Sequence, residues 1–210
     1  MRIPADSALL AVDVQNGFIS ERDELPIAGG RGVIPVINRL LPRFASRVAS
    51  QDWHPSGHGS FASSHPGRKP FDVGELAGVS QTFWPDHCVQ GTRGARFHPE
   101  FEERLVQTIF RKGTDAAVDS YSVFNDNAGL NPTGLEGFLR GRGVKHLFLA
   151  GLALDYCVLY TARDARRLLP ELPVTLIVDA CRPVDPRTGE EAVAEMRRLG
   201  VRFIESRELE

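Results

Sequence analysis

Asp52 and His54 stand two residues apart at the end of an expected strand, Ala49-Ser50-Gln51-Asp52-Trp53-His54. On an extended chain, residues i and i+2 share a face, so this carboxylate and this imidazole project together while Trp53 turns away. One oxygen donor and one nitrogen donor so placed make half a site for a divalent metal; a solvated Asp–His pair would carry the same spacing. The chain then offers His58, Ser60, His65 and His87, any one of which could close the set. Asp13 ends an apolar run, Leu9-Leu10-Ala11-Val12-Asp13. Buried without a partner it would take up a proton or cost several kcal/mol; as a solvated strand end it would do nothing. Lys112, in Phe110-Arg111-Lys112-Gly113, is a cation at a third such end and gains meaning only if Asp13 lies close by. Cys157 falls where a helix begins after Leu147–Leu152. Free N–H groups at a helix start favour an anion, and a thiol there has a lowered pKa that a nearby Lys112 would lower further. The plain alternative is a small buried hydrophobe. Cys88 directly follows His87, but neighbours on an extended chain face apart, so His87 is not read as its base. Cys88 and Cys181 both read as structural.

These residues must be positioned by elements. Strands are expected over Ala8–Val14, Val48–Trp53, Gln107–Arg111, Leu147–Leu152, Val174–Asp179 and Val201–Ile204. Most are short continuous apolar runs, the pattern of a parallel sheet covered on both faces. Helices are expected over Gly32–Arg43, Thr133–Arg140, Asp155–Leu169 and Thr188–Leu199, the last with Ala192, Met196 and Leu199 at helical spacing and Gly200 as a stop. Alternation of the two implies a three-layer α/β/α domain, doubly wound on a mostly parallel six-stranded sheet, over residues 1–210. Ligands in such folds bind at the carboxyl ends of the strands. Were Asp13, Lys112 and Cys157 to act together, the first, third and fourth strands would most simply be near neighbours. Between Pro55 and Gly94 the chain is rich in Gly, Pro, His and aromatics and reads as one long functional loop.

The 210 residues are 42% hydrophobic and 25% charged, with a net charge of −2. That suits one globular domain with a sizeable core. It shows no basic excess of the kind nucleic-acid binders carry. No apolar run reaches a membrane span, no secretory leader is visible, and three widely spaced Cys suit reduced thiols in the cytoplasm. No G-x-G-x-x-G follows the first strand, which argues against a nucleotide-binding module. Gly29-Gly30-Arg31-Gly32 reads as a loop and helix start.

Several phrases, in order along nearly the whole chain, carry a resemblance. They are Val12-Asp13-Val14-Gln15-Asn16, Ser50-Gln51-Asp52-Trp53-His54-Pro55, His58-Gly59-Ser60-Phe61-Ala62, Gln81-Thr82-Phe83-Trp84-Pro85-Asp86-His87-Cys88, Arg111-Lys112-Gly113, Asp119-Ser120-Tyr121-Ser122 and Gly151-Leu152-Ala153-Leu154-Asp155-Tyr156-Cys157. The sequence closely resembles the nicotinamidase/pyrazinamidase enzymes of the isochorismatase-like cysteine hydrolases. The resemblance implies that hydrolase fold and a triad of Asp13, Lys112 and Cys157. It also implies one divalent ion (zinc, manganese or iron, zinc first) on Asp52, His54 and His87, with Ser60 as a further or water-mediated ligand. Phe18 and Trp84 fall where the family sandwiches the pyridine ring, and Tyr121 lies near the same pocket. The family has a cis peptide at the position of Leu152–Ala153, and backbone N–H groups of Ala153 and Cys157 form an oxyanion hole. His58 and His65 match no ligand position, and Leu154 stands where many members have Thr. The implied reaction converts nicotinamide to nicotinate and ammonia through a thioester, in NAD salvage. Pyrazinamide and related aromatic carboxamides are further substrates, and the enzyme is a monomer or homodimer. The nearest alternative is a relative acting on another small amide or carbamoyl compound, for which the metal trio would have no use.

Overall fold

The computed structural model describes residues 2–19 and 24–209. In chain order the elements are β1 (Ser7–Val12), α1 (Asn16–Ile19), α2 (Val33–Leu40), β2 (Ser46–Asp52), β3 (Val73–Leu76), β4 (Val79–Thr82), β5 (Thr108–Lys112), α3 (Leu135–Gly141), β6 (His146–Leu152), α4 (Leu159–Leu168), β7 (Val174–Arg182), α5 (Pro186–Arg198) and β8 (Arg202–Ile204). All six expected strands form. They make one parallel sheet in the order β5-β2-β1-β6-β7-β8.

β1 shows how the layers arise. All six of its residues are buried, and alternate ones face opposite sides. Leu9 and Ala11 pack with Val33, Ile34, Ile37 and Leu40 of α2. Ala8, Leu10 and Val12 pack with Leu135 and Leu139 of α3, Ala162 and Ala165 of α4, and Ala192 and Met196 of α5. The sheet is therefore covered on both faces, as its continuous apolar strands require.

Several boundaries differ from expectation for local reasons. β1 stops at Val12, not Val14, because Asp13 turns into the left-handed region at φ 48°. α5 begins two residues early: the Asp185 carboxylate accepts the N–H groups of Arg187 and Thr188, and Pro186 supplies the first helical position. A single π turn over Leu154–Val158 precedes α4. The loop between Pro55 and Gly94 holds the hairpin β3–β4, turned by Ala77 and Gly78 at φ 53° and 76°. Two consecutive positive φ values match the hand of a tight hairpin. The strand-neighbour expectation is half right. β1 and β6, the first and fourth sheet strands, are adjacent, but β5, the third, is separated from β1 by β2. The winding reverses between β1 and β6, and such a switch point opens a crevice at the carboxyl ends. No helix among the described residues is long and apolar enough to cross a membrane.

Candidate active site

Asp13, Lys112 and Cys157 meet at that crevice. Asp13 follows β1, Lys112 ends β5, and Cys157 lies in the π turn after β6. Lys112 is aligned in register with Asp52 of β2, so its ammonium reaches past that strand. Nζ lies 3.0 Å from Asp13 Oδ2, bonds Asp52 Oδ1, and donates to Cys157 Sγ at 3.3 Å and Ser120 O at 3.0 Å. Its side chain is fully buried. Burial alone would lower its pKa, but Asp13 and Asp52 outweigh that and hold the ammonium charged.

The thiol departs from expectation. Burial first, with Asp13 and Asp52 adding to it, pushes Cys157 well above the usual thiol range, and Lys112 only partly opposes this. The expected lowered pKa is thus corrected: burial, with two carboxylates adding to it, outweighs the lysine. A neutral resting thiol needs a base. Burial lifts the Asp13 carboxyl above its ordinary range despite Lys112, which makes it a better proton acceptor. Asp13 Oδ2 faces the Lys112 ammonium at 3.0 Å.

Beside this group stands the donor trio. Ligating atoms of Asp52, His54 and His87 all lie within 4.8 Å of one another, and all three residues are buried. His54 Nδ1 is 3.0 Å from Gly113 O, and His87 Nδ1 is 2.8 Å from Pro85 O. Carbonyls only accept, so each Nδ1 carries its proton and each Nε2 presents a lone pair. The two Nε2 atoms face Asp52 Oδ2 at 3.7 and 3.6 Å. Two imidazole nitrogens and a carboxylate oxygen converging in this way repel one another, and they fit a borderline divalent cation. Asp52 divides its oxygens, Oδ1 to Lys112 and Oδ2 to the imidazoles. Its own backbone is held by Gln15, whose amide accepts Asp52 N–H at 2.8 Å and donates to Asp52 O at 2.8 Å.

Ser60 hydrogen-bonds through Oγ to His58 Nδ1 at 2.7 Å, and His58 Nε2 donates to Asp115 O at 2.8 Å. Both nitrogens of His58 are thereby engaged, although it lies beside His54 and Asp119. His65 is tied to Gly59 O. The cavity that exposes Cys157 and the trio is also lined by Phe18, Trp84, Tyr121 and Ala153, and by Tyr156 and Asp119, to which the sequence alone gives no pointer. Gln81 Nε2 donates to both Asp119 Oδ2 and the Tyr121 hydroxyl, at 2.8 and 3.0 Å. The Leu152–Ala153 peptide is cis. Cys88, fully buried with its thiol toward Gly94 O, is held well above the usual range by burial, and Cys181 is pushed up to about 12 by burial.

Known proteins are similar to this chain along nearly its whole length. A nicotinamidase of Acinetobacter baylyi is 42% identical over 210 residues, covering 100% of this chain and 97% of its own length. The solved nicotinamidase–pyrazinamidase of Acinetobacter baumanii superposes with a TM-score of 0.93 at 43% identity, covering 98% of each chain. The pyrazinamidase of Pyrococcus horikoshii, solved in complex with zinc, superposes with a TM-score of 0.76 at 34% identity, covering 95% of this chain and 99% of that one. The isochorismatase domain model matches residues 7–208, and the chain belongs to that family.

Proposed function

We propose that this protein is a nicotinamidase, a cysteine amidohydrolase that converts nicotinamide to nicotinate and ammonia and serves NAD salvage. One observation carries the reading: the Lys112 ammonium touches Asp13, Asp52 and Cys157 together, joining a nucleophile set to a metal-donor set in one aromatic cavity.

A primary amide resists water, and a covalent intermediate divides the difficulty into two easier steps. Asp13 accepts the Cys157 proton, and Lys112 stabilises the thiolate. The sulfur attacks the carboxamide carbon. The resulting oxyanion is received by the N–H groups of Ala153 and Cys157; removing one such donor costs about 3–4 kcal/mol in other enzymes. Asp13 returns the proton to the departing nitrogen, and ammonia leaves. Water then cleaves the thioester to nicotinate and regenerates the thiol. Phe18 and Trp84 flank the planar ring, with Tyr121 beside it. Asp52, His54 and His87 would hold one divalent ion, and the zinc-bound relative favours zinc. Such an ion supplies a Lewis-acidic anchor for a ring nitrogen, which orients the carboxamide toward Cys157. Ser60 would join it only through water, since its hydroxyl is bonded to His58. Pyrazinamide, which keeps the ring nitrogen and the carboxamide, is a second substrate on the same grounds.

Ammonia release from nicotinamide by metal-replete protein tests the proposal. Release that stops on chelation and returns with zinc, manganese or iron supports it. No release from metal-replete protein would move the reading to another small amide.

A further inference from the structure

We propose that Ser50 is the positioning residue that aims the general base. The inference rests on the reading of Asp13 as that base. Ser50 lies within β2, a strand otherwise closed to solvent around it, and is itself fully buried. A hydroxyl there has no packing reason to be present. It makes two contacts with one residue: its O–H donates to Asp13 Oδ1 at 2.6 Å, and its Oγ accepts the Asp13 N–H at 3.2 Å.

The second contact fixes the direction of the first. β1 leaves the sheet at Asp13, where φ is 48°, and the β1–β2 ladder ends at Ala11 and Ala49. The Asp13 N–H would otherwise be a buried, unpaired donor, and Ser50 Oγ takes it in place of a strand carbonyl. With the Asp13 N–H arriving at the oxygen's lone pairs, the single Ser50 proton is turned to Oδ1. The two carboxylate oxygens then become unequal. Oδ1 is occupied by the neutral Ser50 donor, while Oδ2 faces the Lys112 ammonium at 3.0 Å, which also meets Cys157 Sγ. The proton released when the Cys157 S–H bond breaks therefore forms its new O–H bond at Oδ2, and the same oxygen later gives it to the leaving nitrogen. Ser50 does not touch substrate. It keeps Oδ2 directed and holds the base against rotation in a left-handed backbone that a free aspartate would leave.

Ser50→Ala, Ser50→Thr and Asp13→Asn, each loaded with zinc, test this by ammonia release from nicotinamide, metal analysis and thermal unfolding. Ser50→Ala should lose about ten- to a hundredfold in kcat, the size of a lost hydrogen bond to a charged group. KM should stay within about threefold, because the ring contacts are untouched. Its zinc content should match wild type, and Ser50→Thr, which keeps the hydroxyl, should recover most of the rate. If Ser50→Ala does not fold, Ser50→Cys decides, since it keeps the shape and weakens the donor: a slow, folded enzyme supports the proposal. A kcat within twofold of wild type in Ser50→Ala or Ser50→Cys overturns it. So does a loss that merely follows lost zinc, or Ser50→Thr as slow as Ser50→Ala. Asp13→Asn separates the two layers: if it is inactive, the base reading stands whatever Ser50 does, and if it stays active, the base reading itself falls.

Discussion

Replacing Lys112 with Met keeps the length of the side chain and removes its charge. The ammonium lies 3.3 Å from Cys157 Sγ with its side chain fully buried. At an effective dielectric of about 20, a unit charge at that distance stabilises a thiolate by roughly 5 kcal/mol. Through the transition-state relation this is about three to four orders of magnitude in rate. A second effect acts in the same direction. Asp13 and Asp52 would face each other across the site without their shared cation, and burial already lifts the Asp13 carboxyl. With Lys112 gone it holds its proton more firmly and cannot accept the one on Cys157. Lys112→Met should therefore lower kcat by about a thousandfold or more. Stability should fall by about 3–5 kcal/mol, as for other buried ion pairs that lose one partner. The assay is ammonia release at saturating nicotinamide, with urea unfolding and metal analysis on the same preparation. A metal-replete Lys112→Met enzyme that keeps more than about a tenth of wild-type kcat, only a 1.4 kcal/mol effect, would refute this account of the lysine.

Gln15→Ala removes the amide that pairs with both backbone groups of Asp52, so zinc affinity measured by chelator competition should drop by about tenfold or more, as when other supports of metal ligands are removed; unchanged affinity would contradict that role. His54→Ala should raise KM or abolish binding of nicotinamide, and an unchanged KM would mean the ion does not anchor the ring. Iodoacetamide at pH 8 should label Cys157, which lines the cavity and has Asp13 at hand to take its proton, and leave Cys88 and Cys181 unmodified until unfolding, as read by peptide mass spectrometry. Cys181 also sets a stability slope. Its unfolded thiol ionises near 9.0 while the folded one keeps its proton to about 12, so folding stability is intact below pH 9 and falls as pH rises toward 12. Cys181→Ala should flatten that fall in urea titrations, and an identical slope in both proteins would show the shift to be absent.

Much of this was legible because the sheet is buried on both faces. Runs such as Leu147–Leu152 have no polar alternation to confuse them, and three strands lead directly into Asp13, Asp52 and Lys112. What escaped depends on contacts between distant segments. Asp13 cuts β1 short through a backbone turn supported by Ser50 from another strand, and neither residue announces this in its own neighbourhood. The β3–β4 hairpin is mostly half-buried or exposed and weakly apolar, so its strands carry little hydrophobic pattern. The sequence points the Cys157 shift the wrong way because a helix start and one lysine are local or single partners. Burial and two carboxylates enter only once the strands are ordered. Asp119 and Tyr156 reach the cavity, yet in sequence they look like ordinary polar neighbours of residues already singled out. The convergence of Asp52, His54 and His87 is legible in part: the strand period places the first two together, and only the resemblance points to the third.

The central claim is that Cys157 carries the acyl group of nicotinamide. Rapid acid quench of metal-replete protein during turnover, followed by intact and peptide mass spectrometry, tests it most directly. The account predicts a pyridine-3-carbonyl adduct confined to the peptide containing Cys157, with neither adduct nor ammonia release in Cys157→Ala. Ammonia release by Cys157→Ala at the wild-type rate, with no adduct on either protein, would contradict it.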